Sequence, residues 1–228
     1  MSVVAIVPAR AADLERKVNP RTVLGGKQLL AYPIEAAMDS PSVNRVVVST
    51  DSPEIREAAI ELGAEAPFLR PVELAAPDAS LDRVLQHAIE ALESAGSQLA
   101  VALLLEVAHP LRPIGLVELV LEKLTSERLD TVFAVAEERS TLWEIDEYGG
   151  FYRVQGSEGQ TRQTRQVLYR ELSGLACATR VAVLREGRRL GPNVGVWVGR
   201  DLAGLLAVRP SDGLAPAAHG SRCRPLPT

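Results

Sequence analysis

The sequence predicts an α/β fold around a mostly parallel sheet, and three observations carry that expectation. Residues 3–7, VVAIV, form a short apolar run rich in β-branched side chains, the pattern of a strand buried on both faces of a parallel sheet. Strand-like runs then alternate with helical patterns along the chain, as they do where helices cross over between parallel strands. A long polar loop follows the first strand, where α/β sheets bind ligands.

Taken in order, each element has a local reason. A helix over 29–39 follows the Gly25-Gly26-Lys27 turn, and a strand is expected over 45–49. The helix over 52–62 opens with Ser52-Pro53, where a serine can cap the orphan amides and proline suits the first turn, and Gly63 ends it. Residues 80–94 place Leu81, Val84, Leu85, Ala88 and Leu92 on one face; 114–125 does the same with Leu116, Leu119, Val120 and Leu124. Strands are expected over 100–105, 131–136, 175–178 and in GPNVGVWV. Between 138 and 170 the pattern changes. Trp143, Ile145 and the 147–151 segment Glu-Tyr-Gly-Gly-Phe read as a hairpin, followed by a polar stretch rich in Arg and Gln. Either it is a solvated surface hairpin or its aromatic residues pack on something, since an isolated hairpin is marginally stable. Residues 207–228 are proline-rich without periodicity and read as a poorly ordered tail.

Composition narrows the function classes. At 46% hydrophobic and 24% charged, the 228 residues can bury a full core and are read as one domain over 1–206, with 138–170 as an inserted arm. A net charge of −4 gives no basic face for nucleic acid, so a small ligand or soluble partner is expected. Cys177 and Cys223, far apart behind no apolar leader, suit reduced, buried thiols in a cytoplasmic setting. No run approaches the roughly 20 apolar residues of a membrane span.

Residues 8–27, with GGKQLLAYPIEAA, VVVSTDSPEI and GAEAPFLRPVELA downstream, resemble the acylneuraminate cytidylyltransferase family. The resemblance runs from Val3 to about Asp212. It implies a Rossmann-like fold of the nucleotide-diphospho-sugar transferase type, and transfer of CMP from CTP to a sialic acid-like sugar with release of pyrophosphate. It further implies a homodimer through the 138–170 arm. An unrelated dinucleotide-binding dehydrogenase is disfavoured, because no glycine-rich turn follows the first strand.

Nucleotidyl transfer needs cations and amides for the triphosphate, a divalent ion and an in-line nucleophile. The family's loop reads approximately PARGGSKRIPGKN. Here Ala11 and Ala12 stand for its glycines, Asp13 for serine, Leu14 and Asn19 for its lysines and Pro20 for asparagine, while Arg10 is kept. Two readings stand: Arg16 or Lys17 takes over the phosphate contacts beside Arg10, or the loop no longer binds triphosphate. The resemblance maps nucleoside contacts onto Arg70, Ala79 and Ser80, although Ser80 could equally cap the next helix and Arg70 could form a surface ion pair. In LLLEVAHPLRP, Pro110, Leu111 and Arg112 match. Glu106 brings a carboxylate toward the nucleotide, and His109 is a candidate base toward a sugar hydroxyl or a structural histidine. Tyr169 and Arg170 match positions on the substrate side. Asp51 is kept, as a polar site group or a helix cap. Of the late Asp pair that would hold Mg2+, only Asp212 remains, with Pro210 in the other place. The expected ligands are therefore CTP or CMP and an acidic sugar. A catalytically silent homologue that binds such ligands, or partners an active subunit, is the alternative.

Overall fold

The computed structural model describes residues 2–13, 19–155, 167–199 and 207. Strand β1, Val3–Pro8, lies deep in the sheet, paired in parallel with β4, Arg45–Ser49, and with β5, Val101–Leu104. Its alternate residues serve two cores. Val3, Ala5 and Val7 face helices α1 (Ala31–Met38), α2 (Pro53–Glu61) and α4 (Leu116–Ser126), whereas Val4 and Ile6 face α3 (Leu81–Ser94) and α5 (Val181–Arg185). Burial on both faces is why the run is continuously apolar.

The main sheet runs β11–β6–β10–β5–β1–β4. Strand β6, Thr131–Glu138, pairs in parallel with β11, Val194–Gly199. Strand β10, Cys177–Arg180, is antiparallel to both neighbours, β5 and β6. A further strand, β9 (Leu168–Glu171), also pairs antiparallel with β6, so β9 and β10 are one strand interrupted at residues 172–176. A small hairpin of β2 (Val23–Leu24) and β3 (Lys27–Gln28) precedes α1. Cys177 is buried, and desolvation pushes its thiol up.

Most boundaries follow the sequence reading, and the departures have causes. The helix expected from 29 begins at Ala31, because the amides of Leu29 and Leu30 bond back to the carbonyls of Thr22 and Pro20. The strand expected over 175–178 starts two residues later, since Leu175 N–H closes a turn onto Leu172. Ser52 accepts from Ile55 N–H at 3.2 Å, as its capping position requires. The arm contains a separate two-stranded sheet, β7 (Leu142–Ile145) with β8 (Phe151–Gln155). Its turn is held by Asp146, whose Oδ1 accepts from Tyr148 and Gly150, and Gly149 supplies the positive φ of +83°. The 208–228 part of the expected tail lies outside the described residues. No described helix is long and apolar enough to cross a membrane.

Candidate functional site

The parallel strands β1, β4 and β5 end together, with Pro8 beside Ser49 and Ile6 beside Leu104. The loops leaving that edge enclose a cleft of about 360 Å³. Pro8, Ala9 and Arg10 come from the loop after β1; Arg70, Leu74 and Ala79 come from the segment leading into α3; Glu106 and Val107 follow β5. This is the carboxyl edge of the sheet, where an α/β fold presents loop amides and side chains to a ligand.

Arg70 is 4% exposed and fastens the cleft's base. One Nη donates to the carbonyls of Ala9 at 2.7 Å and Ser49 at 3.0 Å, bridging the ends of β1 and β4; the other reaches Leu74 at 3.4 Å. Asp51 stands 4.0 Å away. Burial lowers the guanidinium's pKa, with Asp51 pulling the other way. Arg70 is thus an interior strut with one side on the cleft, and its ion pair with Asp51 lies inside the protein, not at the surface as considered from sequence.

The donors of the loop after β1 are taken by carboxylates. Arg10 is paired with Asp13, Nη to Oδ1 at 3.1 Å, and the Arg10 amide and Nε approach Asp13 Oδ2 at 3.3 and 3.4 Å. The next amide, Ala11 N–H, donates to Asp51 Oδ1 at 2.9 Å. Asp51 therefore organises the loop, and the cap of α2 is Ser52.

Across the cleft, Glu106 packs on the backbone of Gly174, where an added methyl would fall 2.6 Å from its carboxyl carbon. Burial raises the Glu106 pKa against the opposing pull of Arg189 and Arg112. Arg112 does not enter the cleft. It is 9% exposed, donates to the carbonyls of Leu175, Glu106 and Gly174, and is pushed down to about 10 by burial.

The cytidylyltransferase family model matches residues 4–146, more than half of the chain. The chain belongs to that family. A pseudaminic acid cytidylyltransferase of Campylobacter jejuni is 32% identical over 139 residues, 60% of this chain and 59% of that protein. A CMP-N,N'-diacetyllegionaminic acid synthase of Legionella pneumophila is 28% identical over 155 residues, 67% of each. The first match thus spans less than two thirds of the relative's length. Among solved structures, a CMP:2-keto-3-deoxy-manno-octonic acid synthetase complexed with CTP superposes with a TM-score of 0.64 at 17% identity, covering 87% of this chain and 90% of that one. A 4-diphosphocytidyl-2C-methyl-D-erythritol synthase of Anaerococcus prevotii gives 0.58 at 13%, covering 90% and 91%. These two likenesses establish the Rossmann-like nucleotidyltransferase fold.

Within this cytidylyltransferase fold the residues singled out from sequence divide. Arg10, Arg70, Ala79 and Glu106 line one cleft. Ser80 is exposed and accepts from Asp82 N–H at 3.2 Å, so it caps α3 at the rim. His109 is buried behind the β5 loop, its amide 3.4 Å from the Glu106 carbonyl, and is not among the cleft-lining residues. Tyr169 and Arg170 lie exposed on β9, paired with Glu137 and Ala136 of β6, and do not line the cleft either. Arg16, Lys17 and Asp212 lie outside the described residues. Among the described residues, no three His, Cys, Asp or Glu side chains cluster to hold a metal ion. The described acids at the cleft do not by themselves make a magnesium site. By family position Asp13 is only a replacement for serine; its spacing of three from Arg10 across a tight turn is the signal for the pairing.

Proposed function

We propose that this chain binds CTP in the β1–β5 cleft and transfers CMP to a hydroxyl of an acidic, sialic acid-like sugar, releasing pyrophosphate. The observation that carries the reading is the convergence of Arg10, Arg70, Ala79 and Glu106 on one cleft at the carboxyl edge of the sheet. In this reading the wall of Leu74, Ala79, Leu81 and Val84 shelters the nucleoside, backbone groups beside Arg70 meet the base, and Arg10 faces the phosphates. The acceptor hydroxyl oxygen bonds to the α-phosphorus as the bond from that phosphorus to the bridging oxygen breaks, pyrophosphate leaves with the electron pair, and the hydroxyl proton passes to solvent. Mg2+, held in part by Asp212, is proposed from the family resemblance alone. The expected result is pyrophosphate release from CTP with pseudaminic, legionaminic or N-acylneuraminic acid, and CTP binding at least tenfold tighter than CMP by titration calorimetry, about 1.4 kcal/mol.

A second reading, a homologue that binds nucleotide or sugar acid without turnover, draws on the Arg10–Asp13 pair, which commits the one loop cation kept at its family position. Equal CTP and CMP affinity with no pyrophosphate release for any of the three acids decides for it.

Assembly belongs to the same reading. The β7–β8 hairpin carries Trp143 and Phe151 at 55% and 72% exposure, with Ile145 and Tyr148 also open. Such an apolar surface on a small separate sheet is characteristic of an interface. We therefore propose a two-fold homodimer through this arm. Sedimentation equilibrium at micromolar concentration should return twice the chain mass, and Trp143→Glu with Phe151→Glu should return the chain mass; a monomeric unaltered protein removes the proposal.

A further inference from the structure

In this structure the features a phosphate group would use at the end of β1 already hold an anion. Three donors of Arg10, its amide, Nε and one Nη, converge on the carboxylate of Asp13, and the neighbouring amide of Ala11 is taken by Asp51. Both Arg10 and Asp13 line the cleft, and their side chains are about one quarter exposed, 26% and 25%. A planar carboxylate receiving a guanidinium edge and a main-chain amide copies the contacts that a phosphoryl oxygen pair makes with the same groups. The two anions are thus competitors for one set of donors.

We propose that Asp13 is an internal phosphate mimic that occupies the phosphate subsite beside Arg10 and must be displaced before a phosphorylated ligand can engage it. The assignment of the ligand as a cytidine nucleotide rests on the functional reading above; the competition for Arg10 does not. Asp13 lies in the short 3-10 turn Ala11–Asp13, so its carboxylate can leave Arg10 by a side-chain rotation without unfolding β1. Because the exchange trades one anion for another on the same cation, affinity for phosphate is reduced while affinity for the uncharged nucleoside is not. Asp13 is then a residue that sets how strongly the cleft distinguishes nucleotides by their phosphates.

The test uses the full chain, the variants Asp13→Asn and Asp13→Ser, and four probes: cytidine, CMP, CTP and inorganic pyrophosphate. Asparagine keeps the shape and removes the charge; serine removes both, and a thermal melt for each variant establishes that it is folded. Expected are a tenfold or greater gain in affinity for CMP, CTP and pyrophosphate in both variants, with cytidine unchanged within twofold. Adding Arg10→Gln to Asp13→Asn should erase the gain. An equal gain for cytidine overturns the proposal, because Asp13 then acts by obstructing space. Unchanged or weaker binding of the phosphorylated probes also overturns it. Pyrophosphate separates this inference from the functional reading. Tighter pyrophosphate binding without any cytidine binding supports the mimic and sinks the nucleotide assignment, whereas cytidine binding with an unaltered response to phosphate does the reverse.

Discussion

Replacing Arg112 with leucine should lower the unfolding free energy by about 3 kcal/mol, because three interior carbonyls lose a charged donor at once. The carbonyls belong to Glu106, Gly174 and Leu175; the first two also accept from the His109 and Glu106 amides, at 3.4 and 2.8 Å, so it is Leu175 that loses its donor outright. Leucine also removes a buried charge, which burial already pushes down to about 10, and that relief works in the opposite direction. The loss prevails, since one unmet buried carbonyl costs roughly 1–3 kcal/mol and all three lost bonds are charge-assisted. A drop in melting temperature on the order of 10 °C follows for a chain of this size, read by circular dichroism with a urea titration beside it. The 172–175 turn supports Glu106, so cytidine affinity should weaken in the same variant. An unfolding free energy within about 1 kcal/mol of the unaltered protein's would mean that the turn holds itself and Arg112 is dispensable.

Arg70→Met is expected to be comparably severe, about 3 kcal/mol, and to abolish cytidine binding. Its guanidinium joins the carbonyl of Ala9, just past β1, to that of Ser49, the last residue of β4, directly under the cleft. Methionine fills similar volume but donates nothing, so the strand ends keep the Ala9 N–H to Ser49 carbonyl bond at 3.0 Å and lose the charged bridge beside it. Lysine can satisfy one or two of the carbonyls from a point charge, which predicts a stability order of arginine, then lysine, then methionine in urea. Calorimetry with cytidine separates strut from ligand contact. If the lysine variant regains most of the stability and none of the binding, the guanidinium itself touches the nucleoside; if binding returns in proportion to stability, Arg70 acts by holding the loop.

The fold was legible because its evidence is local and periodic. The 3–7 run, the Ser52-Pro53 start and the α3 face at Leu81, Val84, Leu85, Ala88 and Leu92 each announce their element from side-chain chemistry alone. Strand β9 was missed because Leu168, Tyr169, Arg170 and Glu171 are all exposed and show no alternation; its pairing with β6 fixes it. Helix α5, five residues following directly on β10, is too short for a 3.6-residue period to register. In the site, Arg70 and Arg112 drew attention as cations facing ligand. What sequence could not express is that both find main-chain carbonyls through chain reversals distant in number, as Arg112 does with residues 174 and 175. Arg10 and Asp13 are three apart and within side-chain reach in a tight turn, so their pairing is legible from spacing.

The reversed strand β10 has a consequence for the order in which the protein is assembled. Strands β4, β1 and β5 can join as soon as residue 104 has been synthesised, but β6, made next, has its place two positions from β5 with a gap between them. That gap is filled only by Cys177–Arg180, so for some seventy residues of synthesis the nascent chain carries an unpaired, wholly apolar margin at Val101–Leu104. Open margins of this kind seek strangers. The matched span of residues 4–146 accordingly ends before the keystone of its own sheet has been made. A shortened gene product stopping there would present two halves of a sheet without the strand that joins them, and its fate is sequestration by a chaperone or precipitation.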